Sequence, residues 1–263
     1  MKTASARSSG TAGPVRPKRS RARSLSFASP VHCRVGRSPR TKSVGEKISA
    51  PPRPGQSSAS LSSRMSNAAE EPLVAALGAL ADAFRQLRVP AMIIGGIAVI
   101  ARGVARSTID VDGAVWGETL DPAVLVRIME EHGLVPRIPD ALDFARKNHV
   151  LLLRHDRSNT PVDISLAWLP FEREALSRAT VEDFAGVRVP VVLAEDLVIL
   201  KAVAWRERDR SDIERLLVLH GTRLDLDRIR SIAREFAEVL EEPDRIEGLE
   251  LIIRRAMGRS TAP

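Results

Sequence analysis

Cysteine and aromatic residues are scarce in this sequence. The single cysteine, Cys33, excludes a disulfide framework or a cysteine-based zinc site within one chain. Aromatic residues make up 3% of the 263 residues and tyrosine is absent, so we expect an aliphatic core. Because so little cysteine suits a reducing compartment, we also expect a cytoplasmic protein.

Long apolar runs are missing as well. No segment approaches the roughly 18 apolar residues that a membrane-spanning helix requires. The N-terminal residues contain no apolar stretch of the kind that a secretory signal needs. We therefore expect no association with a membrane, although 44% hydrophobic residues are enough for a sizeable folded core.

Positive charge is concentrated near the N-terminus. Residues 1–64 carry 14 Lys or Arg and one acid, whereas the rest of the chain carries 26 basic and 32 acidic residues. This segment is rich in Ser, Arg and Pro and lacks apolar periodicity, so we expect a disordered basic tail. Three interpretations are open: a nucleic-acid-binding tail, an organelle transit peptide, or a segment outside the native product, which would then start at Met65.

Hydrophobic patterning predicts an α/β core in residues 65–193 and a helical region packed on it in residues 194–263. The predicted fold is a small mixed sheet with a helical C-terminal half. The predicted strands are "AMIIGG", "STIDVDGAVW", "HVLLLRH", "TPVDISLA" and "VRVPVVL", of which the third and fourth form a hairpin across "DRSNT". The predicted helices run from about Glu70 to Pro90, over "IAVIARG" and "DPAVLVRIMEEHG", and through four segments after Ala194.

Three aspartates interrupt the predicted strands, although strands usually exclude Asp. Asp110 and Asp112 flank Val111, so both side chains should face one side of their strand, roughly 6–7 Å apart. Asp163 lies in the strand "TPVDISLA". Solvated acids at an exposed sheet edge are the alternative interpretation, but three acids in otherwise apolar strands favour a functional cluster.

Carboxylates this close repel each other unless a cation or a shared proton lies between them. Carboxylate oxygens together with substrate phosphates suit Mg²⁺. Three such acids on one sheet could hold two Mg²⁺ ions about 3.5–4 Å apart, the arrangement used for in-line phosphoryl transfer. We therefore predict that Asp110, Asp112 and Asp163 are metal ligands and catalytic residues.

Gly95 and Gly96 separate a predicted strand from a predicted helix. A glycine pair at this place lets the backbone approach a phosphate and points free N–H groups at it, although Gly-Gly is equally compatible with a tight turn. Arg106 lies between the glycines and the acid pair. Its guanidinium could bind a triphosphate through two donors, or it could be a solvated surface group.

Lys201 lies in the apolar stretch "LVILKAVAW". Apolar neighbours on nearly every side favour a buried anionic partner over a side chain that reaches out to solvent. Asp209 and Asp212 follow in "RDRSDIERLL". As an N-cap and an acid three residues later, they could simply begin a helix.

The stretch "GGIAVIARGVARSTIDVD" resembles the nucleotidyltransferase superfamily, in which a strand, Gly-Gly or Gly-Ser and a helical turn precede Asp-x-Asp on the next strand. The segment "PVDIS" fits the separate catalytic aspartate of that pattern. The segment "AEDLVILKAVAWRERDRSDIERLL" is similar to the later motifs of AbiEii-type toxin nucleotidyltransferases. The resemblance covers roughly residues 72–220, and it departs from many superfamily members by lacking Ser beside the first glycine.

The resemblance implies a nucleotidyltransferase fold and a role for each matching residue. Asp110 and Asp112 would bind both Mg²⁺ ions, and Asp163 would share one ion and help to deprotonate the attacking hydroxyl. The predicted nucleotide-binding residues are the glycine pair, the later motifs and the intervening arginine: Gly95, Gly96, Arg106, Lys201, Asp209 and Asp212.

The resemblance also implies Mg²⁺-dependent transfer of a nucleoside monophosphate from an NTP to an acceptor hydroxyl. The toxin-like branch suggests an RNA acceptor, such as a tRNA end, and an antitoxin protein as a partner. A small-molecule acceptor, as in antibiotic-modifying relatives, is the alternative. A protein that keeps the fold and binds nucleotide or a partner without catalysis is a third interpretation, against which the three acids argue.

Overall fold

The computed structural model of the chain describes the backbone of residues 59–260 and the side chains of residues 71–258. Residues 1–58, which hold most of the predicted basic tail, lie outside the described residues. The first helix, α1 (Ala59–Gln86), begins before the predicted domain boundary at residue 65 and before the helix start expected near Glu70. Pro72 lies inside this helix.

Seven strands form one mixed sheet within the described residues. They are β1 Ala91–Ile93, β2 Val111–Trp116, β3 Leu134–Pro136, β4 Val150–His155, β5 Pro161–Ala167, β6 Thr180–Phe184 and β7 Val187–Val191. Their order in the sheet is β3-β4-β5-β2-β1-β7-β6. The pairs β2–β5 and β1–β7 are parallel, and the other neighbouring strands are antiparallel.

Helices surround the sheet and make up the C-terminal part of the described chain. After α1 come α2 Gly95–Ala101, α3 Pro122–Glu131, α4 Ala141–Asn148, α5 Pro170–Arg178, α6 Ala194–Ala204, α7 Glu207–His220, α8 Leu226–Val239 and α9 Asp244–Ser260. Helix α6 is buried on most sides because α2, α7, α8 and α9 all contact it. Its nearly uniform apolar sequence follows from that position.

The predicted fold class is confirmed, with a mixed sheet followed by four C-terminal helices. The sequence analysis missed β3, α4, α5 and β6. Strand β3 has three residues, too few to show an alternating pattern, and β6 is a largely exposed edge strand. Helices α4 and α5 have only eight and nine residues, so each shows little more than two turns of any pattern.

The core is aliphatic, as expected from the shortage of aromatic residues. The largest fully buried side chains are all Leu, Ile or Met: Leu77, Leu80, Met92, Ile93, Ile97, Leu125, Met129, Leu134, Leu151, Leu153, Ile164 and Leu197. None of the helices among the described residues is both long enough and apolar enough to span a bilayer.

The three central strands bring separate parts of the sequence together. Strands β5, β2 and β1 are neighbours in the sheet, and β1 is followed after one residue by helix α2. The glycine pair therefore opens a helix beside the strands that carry the aspartates. Asp121 caps α3 further along the chain, where its side chain accepts a 2.9 Å hydrogen bond from the Ala123 N–H.

Candidate active site

Asp112 and Asp163 lie on adjacent parallel strands in the middle of the sheet. Strands β2 and β5 pair with Asp112 directly opposite Asp163. Paired positions on strands about 4.8 Å apart present their side chains on the same face. Asp110 immediately precedes β2, whereas the sequence analysis placed it within the strand. All three carboxylates line the same cavity.

The Asp112 carboxyl group has an unusual protonation equilibrium. Burial, together with the negative charges of Asp110 and Asp163, raises the pKa of Asp112 from 3.8 to about 7. The positive charge of Arg208 and a hydrogen bond from the Gly96 N–H act in the opposite direction, towards a lower pKa. Repulsion among the three acids is therefore only partly compensated by protein groups.

Gly95 and Gly96 form the wall of the site next to these acids. Gly95 has a φ of +62°, and a Cβ atom there would overlap the Asp112 carboxylate. A Cβ atom at Gly96 would overlap the side chain of Thr108. The glycine pair is thus needed for the close approach of α2 to β2, and the Gly96 N–H is already directed at Asp112.

Asp110 and Asp163 each have a partner of their own. The Thr108 hydroxyl donates a 2.6 Å hydrogen bond to Asp110 Oδ1. The guanidinium of Arg137, just beyond β3, lies 2.8 Å from Asp163 Oδ1. A cation from the protein therefore already neutralises one of the three acids.

The cavity beside the acids has a volume of about 180 Å³ and two kinds of wall. The charged part of the lining comprises the aspartates and several cationic side chains, next to the glycine pair. Most of the remaining lining is apolar and includes Phe171 and Phe236, whose rings meet edge to face with centroids 5.7 Å apart. Apolar walls with a few converging charged groups are typical of a site for an organic ligand.

Lys201 has a buried anionic partner, as its apolar neighbours favoured. Its Nζ donates to Asp212 Oδ2 at 2.7 Å and to Asp209 Oδ1 at 3.2 Å. Arg106 Nη1 also donates to Asp212 Oδ2, at 2.6 Å. These two cations and two anions form one cluster at the edge of the cavity, which we call the buried cluster: Arg106, Lys201, Asp209 and Asp212. Arg106 and Asp212 are far apart in the sequence.

Asp209 lies at the third position of α7 instead of at the N-cap. The helix begins at Glu207, and Asp209 Oδ2 accepts a 3.2 Å hydrogen bond from the Arg206 N–H. The alternative interpretation, in which Asp209 is the N-cap, was therefore wrong by three positions. The same carboxylate both satisfies a free N–H at the helix start and binds Lys201.

The oxygen ligands of this site suit a hard divalent cation. Among the described side chains, residues 71–258, however, no group of three or more His, Cys, Asp or Glu is arranged so that it could hold a metal ion. An ion bound at these carboxylates would complete its coordination with phosphate oxygens and water, as Mg²⁺ commonly does. The clamp of two ions on three acids stays a prediction.

A model of one protein family matches this chain over residues 75–255, more than half of its length. That family is described as "Nucleotidyltransferase of unknown function (DUF6036)". The chain belongs to this family. The nucleotidyltransferase part of the resemblance is thereby confirmed, and its AbiEii-type branch stays a prediction. No curated protein matches the sequence.

Solved structures that are similar to this DUF6036 chain include those of the two proteins described next. The solution structure of the antibiotic-resistance factor ANT(2'')-Ia is 18% identical, with 66% of this chain and 94% of that chain covered and a TM-score of 0.44. JHP933 from Helicobacter pylori is 16% identical, with 78% of this chain and 95% of that chain covered and a TM-score of 0.38.

Four charged residues of this DUF6036 site were not predicted from the sequence. Arg137 lies next to a strand that the sequence did not reveal, and Glu172 lies on the unpredicted helix α5. The Glu172 carboxylate accepts hydrogen bonds from the N–H groups of Trp168 and Leu169, and its burial raises its pKa. Arg206 and Arg208 line the cavity, and their basic run directly before Asp209 was the available signal.

Proposed function

We propose that this nucleotidyltransferase transfers a nucleoside monophosphate from an NTP to an acceptor hydroxyl with the help of Mg²⁺. One observation carries the proposal. Asp112, with a pKa raised to about 7, lies between two other acids at the wall of a cavity that also carries cationic side chains. An acid cluster beside cations is the charge pattern that a metal-bound polyphosphate would complement.

The proposed reaction assigns different work to the acids and to the glycine pair. Asp110, Asp112 and Asp163 would hold Mg²⁺, which when bound would neutralise charge on the phosphates. The acceptor oxygen attacks the α-phosphorus, the bond from that phosphorus to the bridging oxygen breaks, and pyrophosphate leaves. Asp163 takes the hydroxyl proton, and Gly95 lets the backbone approach the phosphates.

Two kinds of acceptor are candidates for this reaction. RNA is the first candidate, and it derives from the resemblance to toxin nucleotidyltransferases, as does the prediction of an antitoxin partner. A small-molecule acceptor is favoured by one observation, the apolar wall that Phe171 and Phe236 form in a cavity of about 180 Å³. Such a wall suits a compact organic group better than a phosphate backbone.

Binding and transfer are tested separately. The full chain is titrated with non-hydrolysable analogues of the four NTPs in Mg²⁺, and failure to bind any of them overturns the proposal without reference to an acceptor. Labelled NTPs are then incubated with total RNA or with a pool of small-molecule alcohols. We expect pyrophosphate release and label in one of the two pools, lost in Asp112→Asn and kept in Asp121→Asn.

A further inference from the structure

Four cationic side chains line the cavity, and they differ in how far protein carboxylates already neutralise them. They are Arg106, Lys201, Arg206 and Arg208. The first two belong to the buried cluster with Asp209 and Asp212, where two positive and two negative charges balance. That cluster offers little net positive charge to a bound polyphosphate.

Arg206 and Arg208 are placed at the cavity by the corner between α6 and α7. Helix α6 ends at Ala204, its C-cap residue Trp205 turns the chain with a φ of 53°, and α7 begins at Glu207. Arg206 is the N-cap residue of α7, and its Nε lies 3.8 Å from Asp209 Oδ2. Both arginines therefore stand at the positive end of a 14-residue helix.

Of the four cations that line the cavity, Arg208 is the one without a carboxylate partner among the described residues. Within the described residues its side chain forms neither a salt bridge nor a hydrogen bond, although it lines the cavity and its charge acts on Asp112. It is exposed to solvent. A polyphosphate in the cavity would meet this guanidinium on one side and the acid cluster with its metal on the other.

We propose that Arg208, with Arg206 beside it, binds the β- and γ-phosphates of the NTP and the pyrophosphate that leaves. This inference rests on the proposed function and assigns to Arg208 the triphosphate contact that the resemblance implied for Lys201. Lys201 is instead a positioning residue, because its ammonium group ties α6 to the first turns of α7. A guanidinium suits this task, since its planar donors match two phosphate oxygens at once.

The test is a calorimetric titration of the full chain with a non-hydrolysable NTP analogue in Mg²⁺, and separately with Mg²⁺-pyrophosphate. Arg208→Gln should weaken both ligands by roughly ten- to a hundred-fold, as expected for loss of a charge-assisted contact. Arg208→Lys should recover part of the loss. The matched control is Arg210→Gln, which also removes one positive charge from α7. The Arg210 side chain is exposed and its guanidinium lies over the Trp205 ring.

Each outcome either supports or overturns the inference. Arg208→Gln that binds both ligands like the wild type overturns it while leaving the proposed function intact. An equal loss in Arg208→Gln and Arg210→Gln also overturns it, because the effect would then be that of surface charge alone. A wild-type protein that binds neither ligand overturns the inference and the proposed function together. Unchanged melting temperatures in the variants show that binding, and not folding, was measured.

Discussion

Lys201 and Asp212 form an ion pair in which both side chains are nearly inaccessible, with residue exposures of 6% and 4%. The pair joins α6 to α7, since Nζ lies 2.7 Å from Oδ2. Asp209 and Arg106 complete the charge balance around it. Removing one member of such a group leaves a buried charge without its partner, which costs more than the pair itself contributes to stability.

Lys201→Met should therefore destabilise the protein by about 3–5 kcal/mol, because Asp209 and Asp212 lose a shared cation in a buried place. Chemical denaturation measures the loss. Adding Asp212→Asn to this variant should recover part of the stability, since one of the stranded charges is then gone. The control is Lys147→Met, at an exposed lysine of α4. Equal stability of Lys201→Met and the wild type would place Nζ outside the buried cluster.

The raised pKa of Asp112 predicts a pH dependence of stability in the metal-free protein. Between the unfolded-state pKa of about 4 and the folded-state pKa of about 7, the folded protein keeps a proton that the unfolded chain releases. The contribution is fully present below about pH 4 and is lost as the pH rises through about 7. Its size is on the order of 4 kcal/mol, since each pKa unit corresponds to about 1.4 kcal/mol.

Asp112→Asn should reduce the loss of folding stability with rising pH. Asp121→Asn should leave that loss unchanged, and it should fold normally because Asn caps a helix nearly as well as Asp. Denaturation curves at several pH values between about 4 and 8 provide the measurement. If the wild type and Asp112→Asn lose stability in parallel over this range, the carboxyl group of Asp112 titrates like an ordinary surface acid.

Metal binding by the acid cluster predicts a shared response of three variants. Mg²⁺ should raise the melting temperature of the wild type, because it binds the native state only. In Asp110→Asn, Asp112→Asn and Asp163→Asn the rise should shrink and transfer should nearly disappear, since Asn keeps the shape but loses the anion. Asp121→Asn should behave like the wild type. If Mg²⁺ raises the melting temperatures of Asp110→Asn and Asp112→Asn as much as that of the wild type, neither aspartate is a metal ligand.

Arg137 forms an ion pair with Asp163 and would compete with a metal ion for this carboxylate. Arg137→Gln should therefore increase Mg²⁺ affinity by up to about fivefold, because a partly exposed ion pair contributes at most about 1 kcal/mol. In the absence of metal the same variant should melt slightly lower, since the acids lose a counter-charge. The control is Arg127→Gln, which removes an exposed ion pair between Arg127 and Glu131 on α3. Weaker Mg²⁺ binding by Arg137→Gln would mean that the arginine assists the metal instead.

The sequence revealed those parts of the site that depend on local pattern. The pattern around Val111 drew attention to Asp110 and Asp112, which line one cavity although only Asp112 lies within the strand. The acid within "TPVDISLA" drew attention to Asp163, which pairs with Asp112 across the sheet. Helix α2 could be predicted because Gly95 and Gly96 interrupt an apolar run.

The contacts between distant segments could not be predicted in this way. Arg137 reaches Asp163 only because β3, β4 and β5 are adjacent, and a three-residue strand leaves no periodic signal. Arg102, which lies near Arg106 in the sequence, instead donates hydrogen bonds to the carbonyls of Val191 and Val192 at the C-terminal end of β7. Charge pattern alone does not distinguish these two arginines.

Gly95 and Asp112 are seventeen positions apart in the sequence, yet in the structure a substitution at one position depends on the residue at the other. Any side chain at 95 would occupy the space of the Asp112 carboxylate, and it would also have to adopt a φ of +62°. In an engineering campaign, or along an evolutionary path, position 95 can therefore diversify only after the acid at 112 has moved or disappeared. A relative that keeps the acid but carries a bulky residue at the corresponding glycine should have rebuilt the backbone beside the acid cluster, which makes this glycine a practical marker for the geometry of the cluster.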